Sequence, residues 1–181
     1  MSGQGAAGQG AQTFKRQCGT CNLCCKLYDT PVVESPAGVW CRHCQPGKGC
    51  DIWETRPDQC RAFFCNWIML DWLGDEWKPD VAKFIFTLDR ASGYLQFQVD
   101  PQNPEAWKRE PYYSQIKTWA IEGLSRARCT LVFVGKAVTL ILPDGDEALG
   151  ELKPEDKIVV EPGRPGTFDV KLQRGAARKP N

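Results

Sequence analysis

The second half of the chain alternates apolar and polar residues in a way that predicts β-strands. Three pairs of segments carry this period: KFIFTL with YLQFQV, TLVFV with AVTLIL, and KIVVE with FDVKL. The residues between the members of each pair, DRASG, GK and PGRPGT, are of the kinds that favour turns. The pattern therefore predicts three hairpins and a mostly antiparallel sheet.

A helical period replaces the strand period between the first and second hairpins. Apolar residues recur at Ile116, Trp119, Ala120 and Leu124, which places them on one face of a helix. Pro111 lies just before this run and predicts where the helix begins. We expect this helix to pack on the sheet, which gives an α+β fold.

Another helix is predicted nearer the N-terminus. Thr55 and Asp58 have the spacing of a capping box, with Asp in place of the usual Glu, and Pro57 suits the first helical turn. From there DQCRAFFCNWIMLDWL predicts a continuous helix that ends at Gly74. The rest of this segment is rich in turns and has too few periodic apolar residues to fold on a hydrophobic core alone.

These patterns divide the chain into four parts. We expect a disordered tail over 1–13, a cysteine-rich module with one helix over 14–78, an α+β region over 79–174 and a basic tail over 175–181. The predicted fold class is α+β, with the small module followed by a mostly antiparallel sheet and one packed helix.

Charge and hydropathy exclude two classes of partner. Lys and Arg number 23 against 22 for Asp and Glu, so the chain lacks the positive field that binds a phosphate backbone, and we expect no nucleic acid.

No apolar run approaches the roughly 18–20 residues that span a bilayer. The opening MSGQGAAGQGAQ also lacks the basic and apolar parts of a secretory signal. We expect a cytoplasmic protein with no membrane partner; the sequence identifies no protein partner.

The cysteine content adds candidate chemistry to this picture. Nine of the ten cysteines lie between Cys18 and Cys65, and only Cys129 lies outside. Because the cytoplasm keeps thiols reduced, metal binding or catalytic thiols are favoured over structural disulfides. Cys129 begins the strand CTLVFV and is expected to be an ordinary buried thiol.

The octapeptide CGTCNLCC carries the most specific signal. Cys18, Cys21 and Cys24 recur at every third residue, which lets successive turns point their sulfurs at one locus. The side chains of Cys24 and Cys25 are expected to diverge because the two residues are adjacent. This pair therefore favours two metal sites, or two atoms of one cluster, over a single ion.

Five more thiols follow before residue 66. They are Cys41, Cys44, Cys50, Cys60 and Cys65, which brings the total to nine, enough for two four-sulfur sites with one left over. On one continuous helix, Cys60 and Cys65 would lie about 140° apart and would not share a small ion. Cys65 has an alternative role as a small buried core residue.

Together these motifs resemble a known family. CGTCNLCC, the isolated cysteine in WC, the Gly-Cys at Cys50 and the stretch RPDQCRAFFC are similar to the CxxCxxCC cysteine-cluster family, also called the YkgJ family, to which zinc or iron chelation is ascribed. The resemblance covers roughly residues 16–70. It implies that the metal ligands are Cys18, Cys21, Cys24, Cys25, Cys41, Cys50, Cys60 and Cys65.

The resemblance leaves the metal open between zinc and iron. A related cysteine cluster occurs in flagellin lysine methylases, which keeps an iron–sulfur cluster as an alternative. Cys44 lies outside the family pattern and either replaces a ligand or is a spare thiol, whereas His43 is expected to be an exposed polar residue. Arg56 is a candidate for offsetting the negative charge of a multi-thiolate centre.

Three functional classes are compatible with these motifs. The first is a metal-binding protein that chelates zinc or iron in a structural or metal-handling role. The second is an iron–sulfur redox protein or enzyme, and the third is a thiol–disulfide or adaptor protein. Radical-SAM spacing and a glycine-rich phosphate loop are both absent from the sequence, so the first class is favoured. An adaptor would use the aromatic stretch around Trp67, Trp72 and Trp77, which is otherwise expected to be the seam between module and sheet.

Overall fold

A computed structural model describes residues 14–164 and 167–175 of the 181-residue chain. The tail predicted over 1–13 lies outside the described residues, as does all of the predicted basic tail except residue 175. Within the described ranges, no helix combines the length and the apolar character needed to cross a bilayer.

Short helices dominate the N-terminal part of the chain, and one longer helix lies among the strands. The α-helices are α1 (Cys24–Leu27), α2 (Asp58–Ala62), α3 (Asn66–Met69), α4 (Pro79–Ala82) and α5 (Tyr112–Leu124). Single 3-10 turns occupy Pro31–Val33, Trp53–Thr55, Asp75–Trp77 and Ala106–Lys108. The strands are β1 (Cys44–Gln45), β2 (Gly49–Cys50), β3 (Phe84–Leu88), β4 (Leu95–Val99), β5 (Thr130–Val134), β6 (Ala137–Ile141), β7 (Asp146–Gly150), β8 (Lys157–Pro162) and β9 (Phe168–Gln173).

Five strands form the central sheet, in the order β3-β4-β5-β6-β7. The antiparallel pairs β3–β4 and β5–β6 confirm the first and second predicted hairpins. Strands β4 and β5 are parallel, with Leu95 opposite Thr130, and α5 lies in the crossover that parallel neighbours require. The α+β class, the mostly antiparallel sheet and the helix that begins after Pro111 are therefore confirmed.

Three features of the strands were not predicted from the sequence. Strands β8 and β9 confirm the third hairpin, but they form a two-stranded sheet of their own. The edge strand β7 was missed because DEALG exposes its first three residues and so lacks alternation. The β1–β2 ribbon was also missed, and it brings Cys44 opposite Cys50.

An aromatic core joins one face of the central sheet to α5 and to the N-terminal segment. Phe84 and Ile116 are fully buried in it, and Trp77 packs edge-on against Phe84 with the ring centroids 5.9 Å apart. Trp67 and Leu73 belong to the same core. This core therefore includes residues from both sides of the boundary that we predicted at residue 78.

The continuous helix predicted from Asp58 to Gly74 is wrong. Helix α2 ends before Phe63, and both Phe63 and Cys65 adopt extended backbone before α3 begins. The predicted capping box is also absent, because Pro57 takes the N-cap position and no side-chain hydrogen bond caps the helix. The module thus contains several single-turn helices in place of the one helix that we expected.

Packing of two adjacent aromatic rings explains the break between α2 and α3. Phe63 packs on Tyr28 with ring centroids 4.7 Å apart, while Phe64 packs on Phe14 at 4.6 Å. Neighbouring helical side chains point about 100° apart, so these two contacts favour an extended backbone. Tertiary contacts override helix propensity at this position.

The aromatic seam is confirmed for two of its three predicted members. Trp67 and Trp77 are buried between the N-terminal segment and the sheet. The prediction is wrong for Trp72, whose side chain is 66% exposed. Trp72 approaches the sheet layer only through Trp119 of α5, with ring centroids 6.2 Å apart.

A buried ion pair links α1 to the end of β4. The Lys26 ammonium donates to Asp100 Oδ1 at 2.6 Å and to Gln102 Oε1 at 2.8 Å, and the two charged side chains are 4% and 7% exposed. Burial alone raises the pKa of the Asp100 carboxyl, but hydrogen bonds from Lys26 and the Gln102 amide outweigh it and hold that pKa below its ordinary value. This contact ties the cysteine-rich segment to the sheet.

We predict that Asp100→Ala lowers the free energy of unfolding by roughly 3–5 kcal/mol, because it leaves the Lys26 ammonium buried without a negatively charged partner. The double variant Lys26→Met/Asp100→Leu is expected to lose much less, since no buried charge remains. Urea unfolding followed by circular dichroism measures both.

The matched control for this experiment is Glu161→Ala. Glu161 accepts from Lys171 at the same distance of 2.6 Å, but both side chains are at least half exposed. We expect little change from this substitution because exposed ion pairs contribute little to stability. Equal losses from Asp100→Ala and Glu161→Ala would contradict a structural role for the buried pair.

Candidate metal centre

One cavity of about 220 Å³ gathers every cysteine of the N-terminal segment. We call it the thiol cavity, and the cysteines that line it are Cys18, Cys21, Cys24, Cys25, Cys41, Cys44, Cys50, Cys60 and Cys65. All nine are free thiols, and each is partly exposed. The eight cysteines proposed as ligands from the sequence therefore border one space, and Cys44, which lies outside the family pattern, borders it with them. Cys129 is buried elsewhere, as expected.

The first loop turns sharply enough to bring its thiols together. The Cys21 amide donates to the Cys18 carbonyl at 2.9 Å, and α1 begins three residues later, at Cys24. Gly19 lies inside this turn with a φ of 54°, a left-handed conformation that glycine adopts without strain. The three-residue spacing therefore places a turn between Cys18 and Cys21, but the sulfurs are not directed at one locus as we expected.

Four thiols form a first group, which consists of Cys18, Cys21, Cys24 and Cys65. Burial raises the pKa of Cys21 to about 11, with a contribution from the thiolate of Cys65. Burial also raises the pKa of Cys65, with a contribution from Cys18, while the amides of Ile68 and Trp67 oppose the shift. Cys65 thus lies beside the sulfurs of the first loop, although 40 or more residues separate them in sequence.

Five thiols form a second group, which consists of Cys25, Cys41, Cys44, Cys50 and Cys60. Backbone hydrogen bonds set its frame: the Cys41 amide donates to the Cys25 carbonyl and the Cys44 amide donates to the Cys41 carbonyl, each at 2.9 Å. Cys44 faces Cys50 across the β1–β2 ribbon. Burial raises the pKa of Cys60, as do the nearby thiolates of Cys25, Cys41 and Cys50.

The adjacent residues Cys24 and Cys25 connect the two groups. Our expectation that their side chains diverge is wrong, because the two thiols interact directly. A hydrogen bond to Cys25, together with burial, raises the pKa of Cys24 well above its ordinary value. The same hydrogen bond lowers the pKa of Cys25, against the effect of burial, and Cys44 adds a second hydrogen bond that also lowers it. Cys25 also contributes to the raised pKa of Cys18, so it acts on thiols of both groups.

We expected Cys60 and Cys65 not to share an ion because of their positions around one continuous helix. The structure separates them for a different reason. Cys60 belongs to the second group and Cys65 to the first, but the two residues do not lie on one helix. The extended backbone between α2 and α3 sends their side chains apart. Cys65 also packs against the aromatic core, so its role as a core residue and its place in the first group are compatible.

Arg56 is a cation whose charge acts on both groups of thiols. Its positive charge opposes the effect of burial on the pKa of Cys18 in the first group and on that of Cys60 in the second. The guanidinium lies 3.6 Å from the centroid of the Trp53 ring and donates to the Trp53 carbonyl at 2.6 Å. Trp53 therefore fixes this charge beside the cavity, which supports the charge-offsetting role suggested by the sequence.

His43 lines the thiol cavity and is only partly exposed, which differs from the exposed position that we expected. Its Nε2 atom accepts a hydrogen bond from Arg42 at 3.3 Å. Because this nitrogen accepts a hydrogen bond from Arg42, we assign His43 to neither thiol group, although it borders the cavity.

Two polar groups beside the cavity are buried without a hydrogen-bond partner in the described part of the chain. The Tyr28 hydroxyl is one; burial raises its pKa, and the nearby thiolates of Cys24 and Cys65 add to the shift. Thr87 opposes that shift without reaching hydrogen-bond geometry. The Asp80 Oδ1 atom is the other, and its negative charge contributes to the raised pKa of Cys21. Unsatisfied buried groups of this kind are rare and indicate a missing partner.

The thiols border the cavity without converging on one point. Across residues 14–164 and 167–175, no three side chains of Cys, His, Asp or Glu are close enough to hold an ion as they stand. Cysteine side chains have three staggered positions about the Cα–Cβ bond, so rotation alone moves a sulfur into or out of the cavity. The chemistry of the donor set fits zinc or iron, since both bind thiolates and a buried thiol resists deprotonation until a cation replaces its proton.

Comparison of the chain with protein-family models, with curated proteins and with solved structures gives no match. The resemblance to the CxxCxxCC family therefore stays a prediction that depends on the motifs within residues 16–70. The fold and the cavity together define an α+β protein with a cluster of nine reduced thiols.

Proposed function

We propose that this chain is a cytoplasmic metal-binding protein that chelates zinc or iron through its cysteine cluster, in a structural or metal-handling role. The observation that carries the proposal is the thiol cavity, in which nine free thiols from five separate stretches of chain border one space. Thiols that are free and crowded are typical of metal ligands in a reducing compartment.

Electrostatics support metal binding over a cluster of neutral thiols. Burial and neighbouring sulfurs raise the pKa of most of the thiols described above, so ionising them is unfavourable while the cavity is empty of cations. A metal ion reverses this balance because it binds the thiolate and releases the proton. Arg56 supplies part of the charge compensation that a multi-thiolate centre needs.

The cysteine-rich segment buries few apolar residues of its own, which supports the same proposal. Its own buried cluster is small and consists of Leu23 and Leu27 packed on Ile85 of the sheet. Much of the region from Pro31 to Arg61 consists of turns and single-turn helices, which contribute little stability by themselves. Metal binding supplies folding free energy in small modules of this type.

The two thiol groups support two centres joined at Cys24 and Cys25. The first group offers four sulfurs, which is the number that a structural zinc ion or a cuboidal iron–sulfur cluster uses. The second group offers five, so a four-ligand centre leaves one thiol over. We assign the spare position to Cys44, because it lies outside the family pattern.

An iron–sulfur centre is the second candidate, and the first group favours it. Its members Cys18, Cys21 and Cys24 are separated by two residues each, and the fourth, Cys65, is distant in sequence. Many cuboidal clusters use this spacing. Such a centre would make the chain a redox protein, whereas zinc would make it a structural or metal-handling protein.

Metal content tests the proposal directly. We expect protein purified without oxygen to carry zinc or iron in near-stoichiometric amounts, measured by elemental analysis. Iron–sulfur clusters give a brown colour with absorption near ~400 nm, whereas a zinc protein is colourless. Protein that carries neither metal and whose thiols are paired as disulfides would refute the proposal.

Removing one ligand from each group tests the assignment of the thiols. We expect Cys21→Ser and Cys60→Ser each to lower the bound metal and the thermal melting temperature, because metal binding and folding are linked in such modules. Cys129→Ser is the matched control, since Cys129 is a buried thiol outside the cavity. Retained metal and unchanged melting in both cluster variants would contradict the assignment.

The unpartnered Tyr28 hydroxyl gives a prediction with opposite signs in the two states of the protein. Hydrogen bonds to metal ligands typically contribute about 10- to 100-fold in metal affinity, so Tyr28→Phe is expected to weaken metal binding by about that factor. In metal-free protein the same change removes an unsatisfied buried hydroxyl and is expected to leave stability unchanged or raised. Competition with a chelator measures the affinity, and urea unfolding measures the stability.

The control for the Tyr28 experiment is Tyr94→Phe. Burial and the neighbouring thiol of Cys129 raise the pKa of Tyr94, and Cys129 lies outside the thiol cavity. We therefore expect this variant to keep the metal affinity of the parent protein. An equal loss of affinity in both variants would indicate a general structural effect and would contradict a hydrogen bond from Tyr28 to a ligand.

A further inference from the structure

A second cavity lies on the other side of α3 from the thiols. It is an open groove of about 500 Å³ between the C-terminal end of α5, the β3–β4 hairpin and the segment that follows α3. Its floor and walls include the aromatic residues Trp72, Phe86 and Trp119, and three arginines, Arg90, Arg126 and Arg128, also line it. We call it the arginine groove.

The floor of the arginine groove is aromatic and rigid. Phe86 stacks on Trp119 with ring centroids 5.3 Å apart, and Trp119 in turn meets Trp77 of the buried core at 5.0 Å. Trp72 lies at the edge of the groove and is 66% exposed, so most of its ring is not covered by other residues of the described part of the chain. An exposed tryptophan beside an apolar concavity is typical of a binding site.

The charges around the groove are positive and unpaired. None of Arg90, Arg126 and Arg128 forms an ion pair within residues 14–164 and 167–175. Among the described residues that line the groove, Glu122 is the one acid. The formal net charge of the whole chain is only +1, so this excess of positive charge is local to the groove.

Two other acids near the groove are engaged with residues outside it. Asp89 precedes Arg90, and its carboxylate accepts hydrogen bonds from both the amide and the hydroxyl of Ser92. Asp71 precedes Trp72 and pairs with Lys15 at 2.7 Å. Glu122 is therefore the one acid among the described lining residues that can offset the three guanidinium groups, which leaves a net positive charge at the groove.

Two glycines leave the space that Arg128 occupies beside the groove. A Cβ atom at Gly93 would lie 3.3 Å from Arg128 Nε, and one at Gly123 would lie 2.9 Å from the Arg128 carbonyl oxygen. Gly123 therefore lets the end of α5 approach the start of β5, and Gly93 leaves room for the arginine side chain across the hairpin turn. These close approaches place the backbone of Arg128 at the edge of the groove, where its side chain is exposed to solvent.

We propose that the arginine groove binds a small amphiphilic carboxylate, with the apolar chain of the ligand on the floor of Trp72, Phe86 and Trp119 and its carboxylate on Arg126 and Arg128. The volume lies within the roughly 300–1,000 Å³ range of small-molecule sites. Arginine binds a carboxylate through two parallel N–H donors, which fits an acid head group better than a neutral one. The proposal is independent of the metal, because no cysteine of the thiol cavity lines the groove.

Calorimetric titration of the full chain, as isolated, with three probes that each carry a ten-carbon alkyl chain tests the proposal. The probes are decanoate, decanol and decyltrimethylammonium, each below the concentration at which it forms micelles. We expect decanoate to bind most tightly, because it matches both the apolar floor and the positive charges. Equal binding of all three probes, or no binding of decanoate, would overturn the proposal.

Variants separate the contribution of charge from that of the floor. We expect Arg126→Gln/Arg128→Gln to weaken decanoate binding about 10- to 100-fold, as loss of charged hydrogen bonds does, and to leave decanol binding unchanged. Trp72→Ala is expected to weaken both ligands, and its exposure makes a folding defect a poor explanation. Lys136→Gln removes one exposed positive charge away from the groove and is expected to change neither.

Two further outcomes of the titration are decisive. Decanoate binding that survives the double arginine variant would overturn the assignment of its carboxylate. Self-association of the chain that Trp72→Ala abolishes, in protein that binds no decanoate, would show that a second copy occupies the groove and would also overturn the proposal. Melting curves of every variant show whether the fold is intact.

Discussion

Crowding of nine thiols around one small cavity is the constraint on which the N-terminal segment depends. Each sulfur loses water on burial, and each thiolate raises the pKa of its neighbours, as Cys18 does for Cys65. The backbone of this segment has little regular structure. Single-turn helices, a two-residue ribbon and glycines with positive φ bring cysteines that are distant in sequence to one cavity.

The thiol cavity and the sheet are coupled through three kinds of contact. Trp67 follows Cys65 by two residues and enters the aromatic core directly. Lys26 follows Cys25 and donates to Asp100 at the end of β4. Arg16 precedes the first thiol and donates to the backbone carbonyls of residues 67, 70, 71 and 73, which ties the start of the segment to its end. Rearrangement of the thiols would therefore strain the core as well as the surface.

The elements that follow a simple period could be predicted from the sequence, and those set by tertiary contact could not. The strand pairs and α5 bury one face each, so their apolar residues recur at the expected spacing. The break after α2 depends on Phe63 and Phe64 packing in different directions, which no local pattern records. The parallel pairing of β4 with β5 is a choice of topology that single-strand patterns leave open.

The candidate site shows the same division between local pattern and tertiary contact. The motifs predicted that the eight candidate cysteines lie together, and all eight border one cavity, although their sulfurs do not converge on one point. The motifs could not assign Cys65 to the first group, since that depends on the break after α2, and nothing in sequence marks Tyr28 as an unsatisfied neighbour of the sulfurs. Arg56 was suggested as a compensating charge, but only the structure shows that it acts on both groups.

One short stretch of chain borders both cavities of the molecule. Cys60 and Cys65 line the thiol cavity, whereas Met69 and Trp72 line the arginine groove. Between them lies only the single turn of α3, whose buried residues Trp67 and Ile68 fix its position in the core. The chain therefore passes from the thiol cavity to the arginine groove within the short stretch from Cys65 to Trp72. The geometry makes these two surfaces neighbours, although no sequence motif links them.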